Sequence, residues 1–478
     1  MKRRAASSWL RRPVATFFPS PLQGGRPGGG SHSLMQLVII GNGITGVSCA
    51  ITARRLRPDA HITLVSDESP YHISRPALMY AYLGHLRAQD LKPYADWFWA
   101  ENALELVHAT AMRIAPAQRQ VELSTGAVLS YDKLVVAAGS VSRFAAWPGQ
   151  DLEGVQGLYS LPDLERMHRN THGVQQAVVV GGGLIGIELA EMLHSRGVSV
   201  TMLVRDEHYW GSVLPPQEAA LVQGQLDAHH IRVQYSTELT EILGDTQGRV
   251  RAVVASDEQE IPCQWVGLAT GVTPNLVLAQ ASGLETDRGI LVDRYLQTSQ
   301  PHIYAAGDCA QHREPVANEV AIEQLWYTGR NQGETIAHTV CGEPKPYQRG
   351  PWFNSAKFFQ LEYQTYGRVP ARALPAQEHS FCWQHPAGTA LLRINFRADS
   401  TLAVTGMNAL GLRQRHDTWD QWLRAATPVT EVLAALGAAN FDPEFFRQHE
   451  PAIVQEFNRQ FPQYPVALRR RKGLFSFM

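Results

Sequence analysis

The five cysteines of this 478-residue chain, Cys49, Cys263, Cys309, Cys341 and Cys382, lie far apart. No CxxC or CxxxxC spacing occurs, so zinc and iron–sulfur ligation have no motif to rest on. An odd number of scattered cysteines reads as reduced thiols and a cytoplasmic location. No apolar run reaches about 18 residues, so no spanning helix is expected. A net charge of −1 gives no global sign of nucleic-acid binding. Acidic residues are missing from residues 1–34, which hold Lys2, Arg3, Arg4, Arg11, Arg12 and Arg26. That segment carries +6 and leaves −7 for the rest. It is rich in Gly, Pro and Ser, with too little apolar material to pack. It reads as a misplaced start ahead of Met35, as a basic arm or, as the minority reading, as an organelle-targeting peptide.

What is present is an ordinary globular composition and an internal near-repeat. The length suggests about three domains. LVIIGNGITGVSCAITARRL opens one unit, and AVVVGGGLIGIELAEMLHSRG opens another 140 residues later. Each has a short β-branched run, a glycine loop and apolar residues at helical spacing. A second strand follows each: HITLVSDE in the first, VSVTMLVRDE in the second. Strand, glycine loop, helix and strand make the βαβ unit of a doubly wound sheet. Between the units, VELSTGAVLSYDKLVVAAGS predicts a hairpin and then a buried strand. From about residue 350 aromatics rise, and residues 380–478 read as a small α+β piece. NFDPEFFRQHEPAIVQEFNRQF predicts an amphipathic helix with a proline-marked start. This last part suits either a docking surface or lid, or a packing or dimer element.

The first loop is Gly41-Asn42-Gly43-Ile44-Thr45-Gly46. Its glycines permit a tight turn, close approach of backbone to a pyrophosphate, and close helix–strand packing. The helix N-terminus then offers free N–H groups to phosphates. Asp67 and Glu68, at the end of the next strand, are candidates for the ribose hydroxyls. The second loop is Gly181-Gly182-Gly183-Leu184-Ile185-Gly186, with Glu188 two residues on. Its second strand ends in Val204 and Arg205, and an arginine there can pair with a 2′-phosphate and favours NADP. Asp206 and Glu207 argue for NAD. A third motif, Tyr304-Ala305-Ala306-Gly307-Asp308-Cys309-Ala310, can set one carboxylate against a polyol.

Taken in order, GxGxxG, LVVAAGS, GGGLIGIE, TGVTPN and IYAAGDCA resemble the FAD-dependent pyridine nucleotide-disulfide oxidoreductase superfamily over about residues 35–370. The resemblance implies an α/β architecture: two doubly wound Rossmann-like domains, for FAD and NAD(P), plus a C-terminal α+β interface domain. It places the split FAD domain at 35–155 and 275–350, the NAD(P) domain at 156–274 and the interface domain at 351–478. Asp308 would then hold the FAD ribityl chain and Gly307 the neighbouring phosphate region. Ala138 and Gly139 fall at a strand end near FAD, with Ala138 in place of the family's Thr. Ala111 falls where a backbone amide meets the adenine. Glu188 would lie at the nicotinamide, while Gly271 and Pro274 sit in a strand-to-loop crossover.

The stretch Tyr71–Leu78 is similar to a segment of the branch containing rubredoxin, ferredoxin and nitrite reductases and apoptosis-inducing factor. There Arg75 and Pro76 would line the flavin, and Tyr80 stands where many members have a lysine. Trp326 matches a tryptophan that borders the isoalloxazine; core packing is the alternative. The redox cysteines of the disulfide-reducing branches are absent from this chain. Cys49 reads as core filler and Cys309 as structural. The expected enzyme therefore takes hydride from NADH or NADPH onto FAD and passes electrons straight to an acceptor. That acceptor would be a small redox carrier protein. A quinone at a membrane reached by the basic tail Leu468–Met478, and a non-catalytic redox-sensing flavoprotein, are the alternatives. A homodimer is compatible with all three.

Overall fold

Apart from Thr63, the interiors of Gln36–Ile40, His61–Ser66 and Lys133–Val136 are apolar, and consecutive residues there are buried, so both faces are covered. That pattern is what a parallel sheet covered by helices on both sides requires. The computed structural model describes residues 34–315, 319–372, 374–442, 444–445 and 447–469. The leader before Leu34 and the tail beyond Arg469 lie outside these residues, and so do the targeting and membrane-contact expectations attached to them. The described fold belongs to the unit that begins at Met35.

The first sheet runs Ile303–Ala305, Lys133–Val136, Gln36–Ile40, His61–Ser66, Leu104–His108, all parallel. The helix Ile44–Leu56 connects Gln36–Ile40 to His61–Ser66, in register Gln36 to His61. The second sheet repeats the plan: Arg232–Tyr235, Ser199–Val204, Gln176–Val180, Trp265–Leu268 and Val155–Gln156, again parallel. Its helix Leu184–His194 joins Gln176–Val180 to Ser199–Val204. The chain leaves the first sheet through Ser140–Ser142 and comes back through Val272–Pro274. These two segments pair antiparallel. The expected hairpin appears as Gln120–Leu123 with Val128–Ser130, followed by Lys133–Val136.

The third five-stranded sheet is antiparallel: Phe353–Phe358, Leu361–Gly367, Val404–Leu410, Leu391–Arg397, Glu378–Gln384. Leu391–Arg397 is buried along nearly its whole length because both faces are covered. Side chains alternate along a strand. Leu392, Ile394 and Phe396 join a core with Trp419, Val432 and Phe457 of the C-terminal helices. Leu391 joins Phe358, Leu361 and Tyr363 against Tyr209, Leu214 and Ala219 of the second dinucleotide unit. The C-terminal piece is thus packed on that unit. Its last helix is shorter than expected, Glu450–Gln460, with Pro451 in the first turn. Proline lacks the N–H that a first turn does not need.

Arg393 points to the same side as Leu391. Its Nε donates to Glu218 Oε1 at 2.6 Å and its Nη2 to Oε2 at 3.0 Å. Glu218 lies on the helix Pro216–Ala228 and is fully buried. Gln217, Ser380 and Asn408 make further polar contacts with the pair. Removing one partner of a buried pair strands the other charge, which costs about 3–5 kcal/mol. Arg393→Met should therefore lower the melting temperature strongly, and adding Glu218→Leu should recover much of the loss. Thermal unfolding of the three proteins measures both effects.

Candidate functional site

Gly41 has φ +105°, and a Cβ there would lie 2.1 Å from the Ala137 carbonyl oxygen. A Cβ at Gly46 would lie 1.9 Å from the Gly41 oxygen. Only glycine allows strand and helix to close on each other here. Around Gly43, by contrast, a Cβ would meet nothing within 4 Å. The first intrahelical bond is Val47 N to Gly43 O, so the amides of Ile44, Thr45 and Gly46 have no helical acceptor. No side chain caps this helix. Asn42 does not point into the open space. Its Nδ2 donates to Ser69 O at 2.8 Å and Tyr71 O at 3.1 Å, tying the loop to the Arg75 segment. His72 Nδ1 donates to the Asn42 carbonyl at 2.7 Å.

Thr45 is hemmed in by three further glycines. A Cβ at Gly307, Gly329 or Gly333 would come within 2.4, 2.8 and 2.3 Å of Thr45 atoms. The helix Trp326–Val340 therefore lies directly on the first glycine helix, and Gly307 is pressed beside it. Gln332 accepts the Gly307 N–H at 2.7 Å and donates to Glu323 at 3.1 Å. Asp308 is thereby held near the first cradle.

Of the two strand-end acids, Glu68 is engaged: Arg75 grips both of its oxygens, and Leu161 N donates to Oε1 at 3.1 Å. Asp67 is exposed. Arg75 also donates to Tyr159 O at 2.9 Å and stacks 4.4 Å from the Tyr159 ring centroid. Tyr159 in turn donates to Asp308 Oδ2 at 3.2 Å and accepts from Ser140 N at 2.9 Å. Burial pushes the Asp308 carboxyl above its ordinary value, although these donors pull it back. Sequence reading missed Tyr159, Gln324 and Gln332, which carry no motif. Ser140, whose Oγ accepts from Gln324 Nε2 at 2.9 Å, directly follows the AAG of the strand end and was within reach. Pro76 is exposed at the start of a short turn of helix, Ala111 opens a strand, and Ala138 and Gly139 are half-buried.

The second loop repeats the first. A Cβ at Gly181 would lie 2.3 Å from Ala269 O, and one at Gly186 would lie 2.2 Å from Gly181 O. Ile187 N makes the first helical bond to Gly183 O, so the amides of Leu184, Ile185 and Gly186 have no acceptor within the helix. A Cβ at Gly182 would strike Val204 at 2.7 Å. Arg205 is exposed just beyond the strand end, with no ion pair among the described residues. Glu188 sits in the second turn of the helix. Burial, and then the neighbouring Glu191, push its carboxyl up to about 7.

Trp326 opens its helix half-buried, edge-on to Tyr327 at 5.2 Å. Burial raises the pKa of all five thiols; Cys309, Cys341 and Cys382 reach about 11 and Cys263 about 12. Burial thus favours the neutral thiol over the thiolate at each of them. Among the described residues no cluster could hold a metal, and no helix is long and apolar enough to cross a membrane.

Two open glycine cradles, each at a bare helix N-terminus, fit two dinucleotides. With no reactive thiol beside them, they define a flavin- and nicotinamide-dependent oxidoreductase. The chain belongs to the pyridine nucleotide-disulphide oxidoreductase family, whose sequence profile matches residues 35–333, and its cofactors are FAD and NAD(P)H. It is 31% identical over 418 residues to the 5,5'-dehydrodivanillate O-demethylase ferredoxin reductase subunit of Sphingobium sp., covering 84% of this chain and 98% of that one. It is 30% identical to rubredoxin-NAD(+) reductase of Pseudomonas putida, covering 67% and 83%. The crystal structure of the ferredoxin reductase for the CYP199A2 system of Rhodopseudomonas palustris superimposes with a TM-score of 0.71, at 27% identity, over 79% of this chain and 91% of that one.

The cradle geometry separates two kinds of glycine variant. Gly43→Ala should fold normally yet weaken a dinucleotide at this cradle by roughly ten-fold or more, because the new methyl group stands where charge-assisted hydrogen bonds to its phosphates would form. Gly41→Ala should fail to reach the native melting temperature. Flavin content per chain and circular dichroism melts distinguish the two. Glu188 yields a pH prediction. Its folded-state pKa of about 7 lies above the ordinary 4.5, so the native state binds the extra proton and stability falls as pH rises between those values. Glu188→Gln should melt like the parent below pH 4.5 and gain its full advantage above about pH 7. Melting curves across that range test it.

Proposed function

We propose that the first cradle holds FAD and the second holds NAD(P)H, and that electrons leave for a small redox carrier protein. Bound FAD would accept a hydride from the nicotinamide and release its electrons to the next carrier. The chain's own residues bind and orient. Asp308, held by Tyr159 and Ser140, is placed for a polyol chain. Arg75, with Pro76 beside it, is fixed by Glu68 at the edge of the same site. With Glu68 engaged by Arg75, Asp67 is the better candidate for the adenosine ribose. Ala111, Ala138 and Gly139 offer backbone, and Trp326 gives an aromatic edge. On this reading Glu188 lies beside the nicotinamide, and positioning of the two rings does most of the catalytic work.

The observation that carries this reading is the pair of open cradles without a reactive thiol: electrons have no protein sulfur to pass through. The named activities of the relatives, reductases of ferredoxin and rubredoxin, favour a one-electron carrier as acceptor. Arg205, exposed and with no ion pair among the described residues, favours NADPH over NADH.

Anaerobic mixing of the flavin-loaded protein with NADPH and with NADH should bleach the flavin absorbance, faster with NADPH. Absence of bleaching with both nucleotides would refute the assignment. Arg205→Ala should cut the NADPH preference roughly ten-fold, the worth of a charge-assisted hydrogen bond to phosphate. Ferredoxin or rubredoxin added to the reduced protein should restore the oxidised spectrum; reoxidation by a quinone alone would point to a different acceptor.

A further inference from the structure

The central glycines of the two cradles have different surroundings. Nothing stands within 4 Å of the Cβ direction at Gly43, but at Gly183 the indole Nε1 of Trp210 stands there, 3.9 Å away. Trp210 lies in the loop 205–214, between the strand Ser199–Val204 and the helix Pro216–Ala228. Several contacts hold that loop on the glycine turn. Tyr209, fully buried, donates its hydroxyl to the Gly183 carbonyl at 2.7 Å. Trp210 has φ +50°, a left-handed conformation that bulky residues seldom adopt unless their surroundings impose it. Its carbonyl accepts from Val213 N at 2.8 Å and Leu214 N at 2.9 Å. Its ring meets Phe358 and Tyr363 of the C-terminal sheet edge-on, at 6.2 Å each.

An indole nitrogen only donates. No hydrogen bond from Trp210 Nε1 occurs among the described residues, although Trp99 and Trp265 in the interior are the indoles whose nitrogens are sealed off without a partner. Trp210 is half-buried, and its donor edge, not its face, is what lies nearest Gly183. Gly183 is the position at which the backbone comes closest to a bound pyrophosphate.

We propose that Trp210 is a nucleotide-binding residue whose indole N–H donates to the pyrophosphate of the nicotinamide dinucleotide at the second cradle. The inference rests on the reading of that cradle as the NAD(P)H site. Because NADH and NADPH share the pyrophosphate, the contact serves both equally. Arg205 acts only on the 2′-phosphate. The C-terminal sheet, through Phe358 and Tyr363, holds the donor in place.

The test uses the full-length, flavin-loaded protein and titration calorimetry with NADP+ and with NAD+. Trp210→Phe keeps the ring and removes the donor. It should weaken both nucleotides by about the same factor, roughly ten-fold, with kcat nearly unchanged and KM raised in step. Gly183→Ala is the control for the site: the new Cβ has room in the fold but fills the cradle, so binding should be lost. If Gly183→Ala binds as the parent does, the reading of the second cradle fails. If Gly183→Ala loses binding while Trp210→Phe keeps or improves it, the cradle stands and the role of Trp210 is overturned. Should Trp210→Phe not fold, the parent protein with 15N-labelled indoles decides. One of its 11 tryptophan N–H signals, assigned to Trp210 by the nuclear Overhauser contacts of its ring with Phe358 and Tyr363, should move on addition of NADP+, and an unmoved signal overturns the proposal.

Discussion

Both halves of this protein depend on one steric constraint: a glycine carbonyl against a glycine α-carbon. At Gly46 and Gly186 the helix start approaches the strand end until a Cβ would sit about 2 Å from the Gly41 or Gly181 oxygen, while Gly41 and Gly181 themselves press as closely on the carbonyls of Ala137 and Ala269 just past the neighbouring strands. That closeness aims each helix N-terminus along its strand and leaves the first-turn amides without acceptors. Free amides and an aligned helix dipole make a site for phosphate before any side chain is considered. The central glycine of each loop has the opposite duty. Gly43 and Gly183 are not crowded; they leave room.

Around this shared plan the two cradles are finished differently. At the first, one chain of contacts runs from Glu68 through Arg75 and Tyr159 to Asp308 and Ser140. It joins the end of the second strand, the short turn at Arg75, the loop before Ser160 and the Gly-Asp turn. The glycines of the helix Trp326–Val340 lock that turn against Thr45. At the second cradle the wall comes from Tyr209 and Trp210, and behind these stands the C-terminal sheet. The Arg393–Glu218 pair and the apolar contact of Phe358 with Tyr209 tie that sheet to the nucleotide unit. The C-terminal piece, ambiguous in the sequence, is thus part of the scaffold of the second site.

The glycine loops, their strands and the Gly-Asp turn were legible because each is a local demand of the backbone, written in consecutive residues. Glu188 was legible as a helix position, but its raised pKa was not, because that comes from burial and from Glu191 one turn on. Asp67 and Glu68 could not be told apart in sequence, since what separates them is Arg75 gripping Glu68. The helix expected from Asn440 starts only at Glu450, and Phe441 and Phe445 ahead of it are exposed, so an apolar residue type there did not signal a packed helical face.

The sequence by itself determined that two βαβ units with bare helix N-termini would form, and that no cysteine pair would stand between them. Glycine spacing and the absence of a residue need no three-dimensional context. Only the tertiary structure decided which side chains finish the cradles. Tyr159 reaches Asp308 across 149 positions, and Arg393 reaches Glu218 across 175. Contacts that distant depend on how sheets and helices stack, and no local pattern encodes them.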